Sequence, residues 1–252
     1  MTARVFVHGN PETPVIWGPL IAQLGDHPAT FTPQLPGFGT SVADDFPATM
    51  DAYTDWLEQT VAEIAAEHGP VDLVGHDWGG GLVVPLANRR PDLLRSWVTD
   101  VLGLFHPDYV WHDFAQAWQT PGVGEEAIKA MSDTPMAQRV AGMNAMGMPS
   151  PQADEVLAVF DDTFARCVLA LYRSAAQPVM AEVGRSLDAI RQRPGLAIHA
   201  TEDPFGSPTS TTEMAGRVGA PTSRLEGEGH WWMLTNPVAG ARALTEFWSS
   251  LD

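Results

Sequence analysis

The segment Val71-Asp72-Leu73-Val74-Gly75-His76-Asp77-Trp78-Gly79-Gly80 carries an apolar run into glycines placed two positions either side of Asp77. That is the spacing of a nucleophile elbow, a strand-to-helix turn too tight for side chains at the flanking positions. Serine is the usual residue at its centre, and a carboxylate there changes the chemistry. A carboxylate needs no base to deprotonate it; it attacks saturated carbon and becomes an ester, whereas serine attacks acyl carbon. An ester on Asp77 must then be hydrolysed, which needs a base to activate water and an acid to orient the base. Both follow in the chain order nucleophile, acid, histidine. Asp203 lies in Thr201-Glu202-Asp203-Pro204-Phe205-Gly206, and His230 in the glycine-flanked run Gly227-Glu228-Gly229-His230-Trp231-Trp232. His76, just before Asp77, reads as a packing histidine on the opposite side of the strand end.

Residues so far apart in sequence meet only if each ends a strand of one sheet. Apolar runs bounded by turn residues predict strands at 4–7, 30–35, 71–74, 96–104, 196–200 and 222–225. Helices are expected at 50–68, where Tyr53, Leu57, Val61, Ile64 and His68 share a face, at 79–90, stopped by Pro91, and at 237–250. This alternation implies βαβ units and a mostly parallel, doubly wound sheet covered on both faces, an α/β fold. Between 104 and 196 no strand is evident, and 110–118, 124–132, 135–146 and 153–172 read as helices separated by Pro and Gly. The expected organisation is a core of residues 1–104 and 195–252 with a helical cap, 105–194, inserted between strands. Met131, Met136, Met143, Met146, Met148 and Met180 fall in or near that cap. There methionine can fill a small core and also form a flexible apolar lid.

Composition narrows the partners. With 14 basic and 31 acidic side chains the formal charge is −17, Lys129 is the sole lysine, and no stretch clusters the arginines. Nucleic acid and anionic membrane are therefore excluded as expected partners, because polyanion binding draws on Lys and Arg. The single cysteine, Cys167, excludes an intramolecular disulfide and a Cys-rich zinc site, and it reads as a buried, inert thiol. No His/Asp/Glu set has metal-ligand spacing and no glycine-rich loop fits a nucleotide, so neither metal nor cofactor is expected. The N-terminus is too short for a signal-peptide core and no apolar run approaches about 18 residues, so a cytoplasmic protein is expected.

Over nearly its whole length the chain resembles the α/β-hydrolase superfamily, and within it the aspartate-nucleophile branch of haloalkane dehalogenases and epoxide hydrolases. The likeness is carried, in order, by His8-Gly9-Asn10-Pro11, Leu35-Pro36-Gly37-Phe38-Gly39, Gly75-His76-Asp77-Trp78-Gly79, Asp203-Pro204-Phe205 and Gly229-His230. Most relatives have strands before the His-Gly turn, which here falls at residue 8. Haloalkane dehalogenases hold the departing halide with an Asn after the His-Gly pair and a Trp after the nucleophile, so the resemblance assigns that role to Asn10 and Trp78. Halide departure needs such donors in a dry pocket. A small neutral, apolar substrate is implied, since the haloacetate branch places arginine where Trp78 stands.

Epoxide hydrolysis is the alternative. That group usually carries an aromatic residue where Asn10 stands and protonates the opening ring with two lid tyrosines. Tyr53 is expected inside a helix face, which leaves Tyr109 and Tyr172. Tyr109, Trp111, Tyr172 and Trp231 are expected in the substrate pocket, with His106, His112 and Trp118 candidates for its mouth. Some members of the branch keep their acid at the end of the preceding strand. Asp100 lies there but one residue out of step, facing the other side of the sheet, so Asp203 is preferred over Asp100 and Glu202. A third reading, a ligand-binding protein on this scaffold, predicts tight retention without turnover.

Overall fold

The computed structural model describes residues 2–251. Its strands, β1 Arg4–Val7, β2 Thr30–Phe31, β3 Val71–Gly75, β4 Leu94–Thr99, β5 Gly195–Ala200 and β6 Thr222–Leu225, form one sheet in the order β2-β1-β3-β4-β5-β6. The pairings between neighbours are parallel, so each connection must cross over the sheet, and helices make the crossings. Helices α1 Gly18–Leu24, α2 Met50–His68 and α3 Trp78–Arg89 follow β1, β2 and β3 in turn. Between β4 and β5 come α4 Asp113–Gln119, α5 Val123–Asp133, α6 Met136–Ala145, α7 Gln152–Ala158, α8 Asp162–Ser174 and α9 Val179–Arg185. Helix α10 Pro208–Val218 follows β5, while α11 Trp232–Thr235 and α12 Pro237–Ser249 follow β6.

Strand alternation divides the interior into two apolar layers. Val5 and Val7 of β1 join Tyr53, Leu57 and Val61 of α2 on one face, whereas Phe6 joins Leu20 of α1 and Leu244 and Phe247 of α12 on the other. The β4–β5 insert adds to both layers: Phe164, Cys167 and Leu171 pack into the first, Met143, Met148 and Val156 into the second. Among the described residues no helix is long and apolar enough to cross a membrane.

Several elements differ from expectation, each for a local reason. Strand β2 ends at Phe31 because Pro33 has no N–H to give a ladder. Strand β4 stops at Thr99, whose Oγ1 takes the Val101 N–H at 3.2 Å, and Leu102–Phe105 wind into a 3-10 turn. The expected helix at 153–172 is two, because the Asp161 carboxylate accepts the Phe164 N–H at 2.8 Å and starts α8 afresh. Helices α1 and α10 were not anticipated. Their region carries legible starts nonetheless: Thr13 caps a 3-10 turn opened by Pro14, and Ser207 caps α10 with Pro208 at its first position.

The elbow is where packing is tightest. A Cβ on Gly79 would stand 2.0 Å from the Val7 carbonyl oxygen, and one on Gly75 would stand 2.4 Å from the Gly79 oxygen. Both obstacles are backbone and cannot step aside. Gly79→Ala is expected to lower unfolding free energy by about 3 kcal/mol. Gly216→Ala, in α10 with nothing within 4 Å of its Cβ, should raise it by about 0.5–1 kcal/mol. Urea unfolding midpoints compare the two.

Candidate active site

Asp77 stands between β3 and α3 with φ 48° and ψ −123°, a conformation non-glycine residues keep only where their surroundings impose it. Two contacts impose it. The Asp77 N–H donates to Asp100 Oδ1 at 3.1 Å, and Asp77 Oδ1 accepts the Asn10 N–H at 2.7 Å. Oδ2 is left facing the cavity. In the turn after β6, His230 puts Nε2 3.9 Å from that Oδ2 and Nδ1 2.9 Å from Asp203 Oδ2. Asp203 Oδ1 accepts the Phe205 N–H at 2.9 Å, so both carboxylate oxygens are held. With Nδ1–H donating to Asp203, a neutral His230 offers its lone pair at Nε2, toward Asp77.

Thus Asp77, His230 and Asp203, from the ends of three strands, come together. Glu202 is exposed, and Asp100 bonds His76 Nδ1 at 2.5 Å and the Trp232 indole N–H at 2.8 Å. Burial pushes the Asp77 carboxyl up to about 6, against the opposing pull of His230. Burial alone would lower His230, but Asp203 and Asp77 outweigh it and leave the imidazole above its ordinary value. Asp203 is shifted the other way: burial would raise it, and His230 outweighs that and holds it low.

A cavity of about 260 Å³ opens on Asp77 and His230, walled by Trp118, Met131, Met143, Tyr172, Phe205 and Trp231 among others, with Asn10 at its base. Of the four residues expected in the pocket, Tyr172 and Trp231 line it and Tyr109 and Trp111 do not. Trp111 instead stacks on Trp78 at 5.8 Å, and Tyr109 meets the Trp111 ring edge-on at 5.4 Å, because the chain after β4 packs down against the start of α3. His112 and Trp118 reach the cavity, while His106 pairs with Glu213 at 2.8 Å outside it. Met131, Met143 and Met146 line the cavity, Met148 and Met180 are buried packing, and Met136, 45% exposed, does neither.

Trp78 is also displaced from its expected place. It is fully buried behind Tyr172, whose ring meets it edge-on at 5.2 Å. Asn10 Nδ2 lies 3.5 Å from the Tyr172 hydroxyl oxygen, at the long limit of a hydrogen bond. One of the two donors expected to meet a halide, Asn10 Nδ2, thus faces a tyrosine oxygen, leaving the Tyr172 proton free to point elsewhere. Burial first, and the Asp77 charge second, keep that phenol well above its ordinary pKa and therefore neutral.

Beneath the elbow lies a group the sequence reading missed. His76 is no packing histidine: it is buried between Asp100 on Nδ1 and Glu12, whose Oε1 stands 3.0 Å from Nε2. Glu12 also accepts the Gly9 N–H at 2.7 Å and the Trp231 indole N–H at 2.6 Å. The available signal was an acidic residue two positions after Asn10, ahead of the apolar run Val15-Ile16-Trp17.

Residues 5–243 match the alpha/beta hydrolase family, and the chain belongs to that family. Within it, the chain is 31% identical over 138 residues to a haloalkane dehalogenase of Mesorhizobium japonicum, a match spanning 49% of this chain and 42% of that protein. It is 34% identical over 83 residues to a cis-3-alkyl-4-alkyloxetan-2-one decarboxylase of Xanthomonas campestris pv. campestris, covering 30% of this chain and 28% of that protein. The chain thus spans less than half the length of these curated relatives. The crystal structure of a haloalkane dehalogenase loop variant from Bradyrhizobium elkanii superposes with a TM-score of 0.75 at 24% identity, over 99% of this chain and 90% of that one. This last likeness is one of fold.

Proposed function

We propose that this chain is an aspartate-nucleophile hydrolase of the haloalkane dehalogenase type, cleaving a carbon–halogen bond in a small neutral, apolar substrate. The observation that carries the reading is the asymmetry of Asp77, with Oδ1 bound by the Asn10 N–H and Oδ2 free beside His230 Nε2. Oδ2 attacks the carbon, the halide departs with the bonding pair, and an alkyl ester forms on Asp77. The halide is received by Asn10 Nδ2 and the Tyr172 O–H, with Trp78 behind them fixing the phenol. His230 Nε2 then takes a proton from water, and the resulting hydroxide attacks Cγ of the ester. Negative charge collects on Oδ1, where the Asn10 N–H already points. Collapse breaks the Cγ–Oδ2 bond, the departing alkoxide takes a proton from the His230 imidazolium and leaves as the alcohol, the new carboxyl gives its proton to solvent, and Asp203 steadies the imidazolium while it is charged. Residues 105–194 serve as the cap, and Met131, Met143 and Met146 give it an apolar inner surface.

A second reading is favoured by Tyr172. A neutral phenol whose oxygen faces Asn10 Nδ2 and whose ring packs against Trp78 suits protonation of an oxygen leaving group, as in opening an epoxide to a diol. The relative named as an oxetan-2-one decarboxylase likewise points to a strained cyclic oxygen compound. Tyr109, away from the cavity, does not supply the second tyrosine of that mechanism.

The primary test is intact-mass spectrometry of His230→Gln soaked with a bromoalkane panel. A stable alkyl adduct on Asp77 is expected, with halide released by the wild type; no adduct and no halide would overturn the reading. The wild-type reaction should also be acid-sensitive. A nucleophile raised to about 6 is lost to protonation as pH falls through that value. A base raised above its ordinary value is charged over the same range, so kcat/KM rises with pH through that region. A rate flat from about pH 5 to 8 would contradict the assignment. Tyr172→Phe separates the substrates: diol formation from an epoxide should fall by roughly 10²–10⁴-fold. Halide release should fall by no more than about tenfold, the weight of one hydrogen bond.

A further inference from the structure

Glu12, His76 and Asp100 are buried to 5% side-chain exposure or less, directly under the elbow. His76 Nδ1 lies 2.5 Å from Asp100 Oδ2, and Nε2 lies 3.0 Å from Glu12 Oε1, somewhat out of line for a full hydrogen bond. A neutral imidazole has only one N–H, so one carboxylate would face a lone pair; two carboxylates on two ring nitrogens call for the imidazolium. Neither carboxylate is idle elsewhere. Glu12 accepts the Gly9 N–H and so fixes the loop whose next amide, Asn10, binds Asp77 Oδ1. It also anchors the Trp231 indole on the cavity wall. Asp100 accepts the Asp77 N–H and the Trp232 indole. The His76 ring stands 4.5 Å from the His230 ring.

We propose that Glu12, His76 and Asp100 are positioning residues, a buried imidazolium clamped between two carboxylates that aligns the Asn10 loop with the Asp77 turn and opposes protonation of His230. The proposal rests on His230 being the base of the reading above. Groups facing His230 are Asp203, Asp77 and Glu12, which favour its charged form, and His76 and His112, which oppose it. Those facing His76 are Asp100, Glu12, Asp77, Asp203, His230 and His8. Of these, His8 is neutral: burial first lowers it to about 4, and its Nε2 accepts the Leu35 N–H. His112 is lowered to about 4 as well, by burial and then by His230.

The signs make the proposal testable without any substrate. Removing the cation in His76→Gln leaves His230 among carboxylates alone, so its midpoint should rise. Removing one anion in Glu12→Gln, whose single amide oxygen can still accept from one of the two donors that the carboxylate holds, Gly9 on Oε2 or Trp231 on Oε1, leaves the His76 cation less balanced, so the His230 midpoint should fall. The experiment is a long-range 1H–15N NMR titration of imidazole nitrogens in the full chain from about pH 5 to 9, with His230 assigned by its loss in His230→Gln. The expected result is a wild-type His76 doubly protonated throughout. Opposite His230 shifts of about one pH unit are expected in the two variants. A His76 that is neutral within that range, or a His230 midpoint that moves the same way in both variants or in neither, overturns the proposal. Should His76→Gln fail to fold, the state of wild-type His76 and the direction of the Glu12→Gln shift decide. Because the titration reads no turnover, opposite shifts in a protein that releases no halide would sustain the clamp and overturn the substrate reading alone.

Discussion

A carboxylate in a left-handed turn at the edge of an apolar-walled cavity is the constraint on which the rest of this molecule depends. Backbone strain of this kind costs on the order of 1–3 kcal/mol, and burying the charge adds to it. Both are tolerated because the surroundings grip Asp77 from two directions, through Asp100 at its amide and Asn10 at its carboxylate. Much else follows from that grip. Gly75 and Gly79 must lack side chains for β1 and α3 to close on the turn. Leu35 must return its N–H to His8 so that the loop carrying Asn10 is backed from behind. The acidic residues under the elbow satisfy the amides and indoles that the turn would otherwise leave stranded in an apolar interior.

The second determinant is Tyr172. It rises from α8 into a space bounded by Asn10, Trp78 and Trp118, meeting the Trp118 ring at 4.9 Å, and so gives the cavity floor a hydroxyl where two bare N–H donors would otherwise stand. One side chain from the insert thereby helps form the cavity that opens on Asp77. Core and insert are a single chemical unit at this point, however separate they look along the chain.

Much of this was legible in the sequence because it rests on local rules. Helix α2 begins and ends where its periodicity places it, and the structure shows Thr49 and Gly69 as its caps. The elbow glycines, Asp203 and His230 are readable because turn geometry and chain order constrain them tightly. What escaped reading depends on contacts between distant residues. Nothing near Glu12 in sequence announces that its partners are His76 and Trp231. His76 looked like packing because a paired charge and an apolar ring are indistinguishable in a strand-end pattern. The resemblance puts Trp78 at the leaving group and Trp111 is expected in the substrate pocket, whereas their stacking on each other is a tertiary fact. Asp100 was displaced by one residue as counted, and that displacement is what turns its carboxylate toward His76 and the Asp77 amide instead of His230.

The insert contributes to the apolar layers on both faces of the sheet, through Phe164 and Leu171 on one and Met143 and Val156 on the other. A segment riveted on two sides does not swing as a door. The exposed parts of the cavity wall are small, chiefly Phe114 at 55% and Met146 at 42% exposure. Exposed side chains of this kind change rotamer in picoseconds to nanoseconds, far faster than a hinge. Phe114 and Met146 can therefore move without the insert moving as a body.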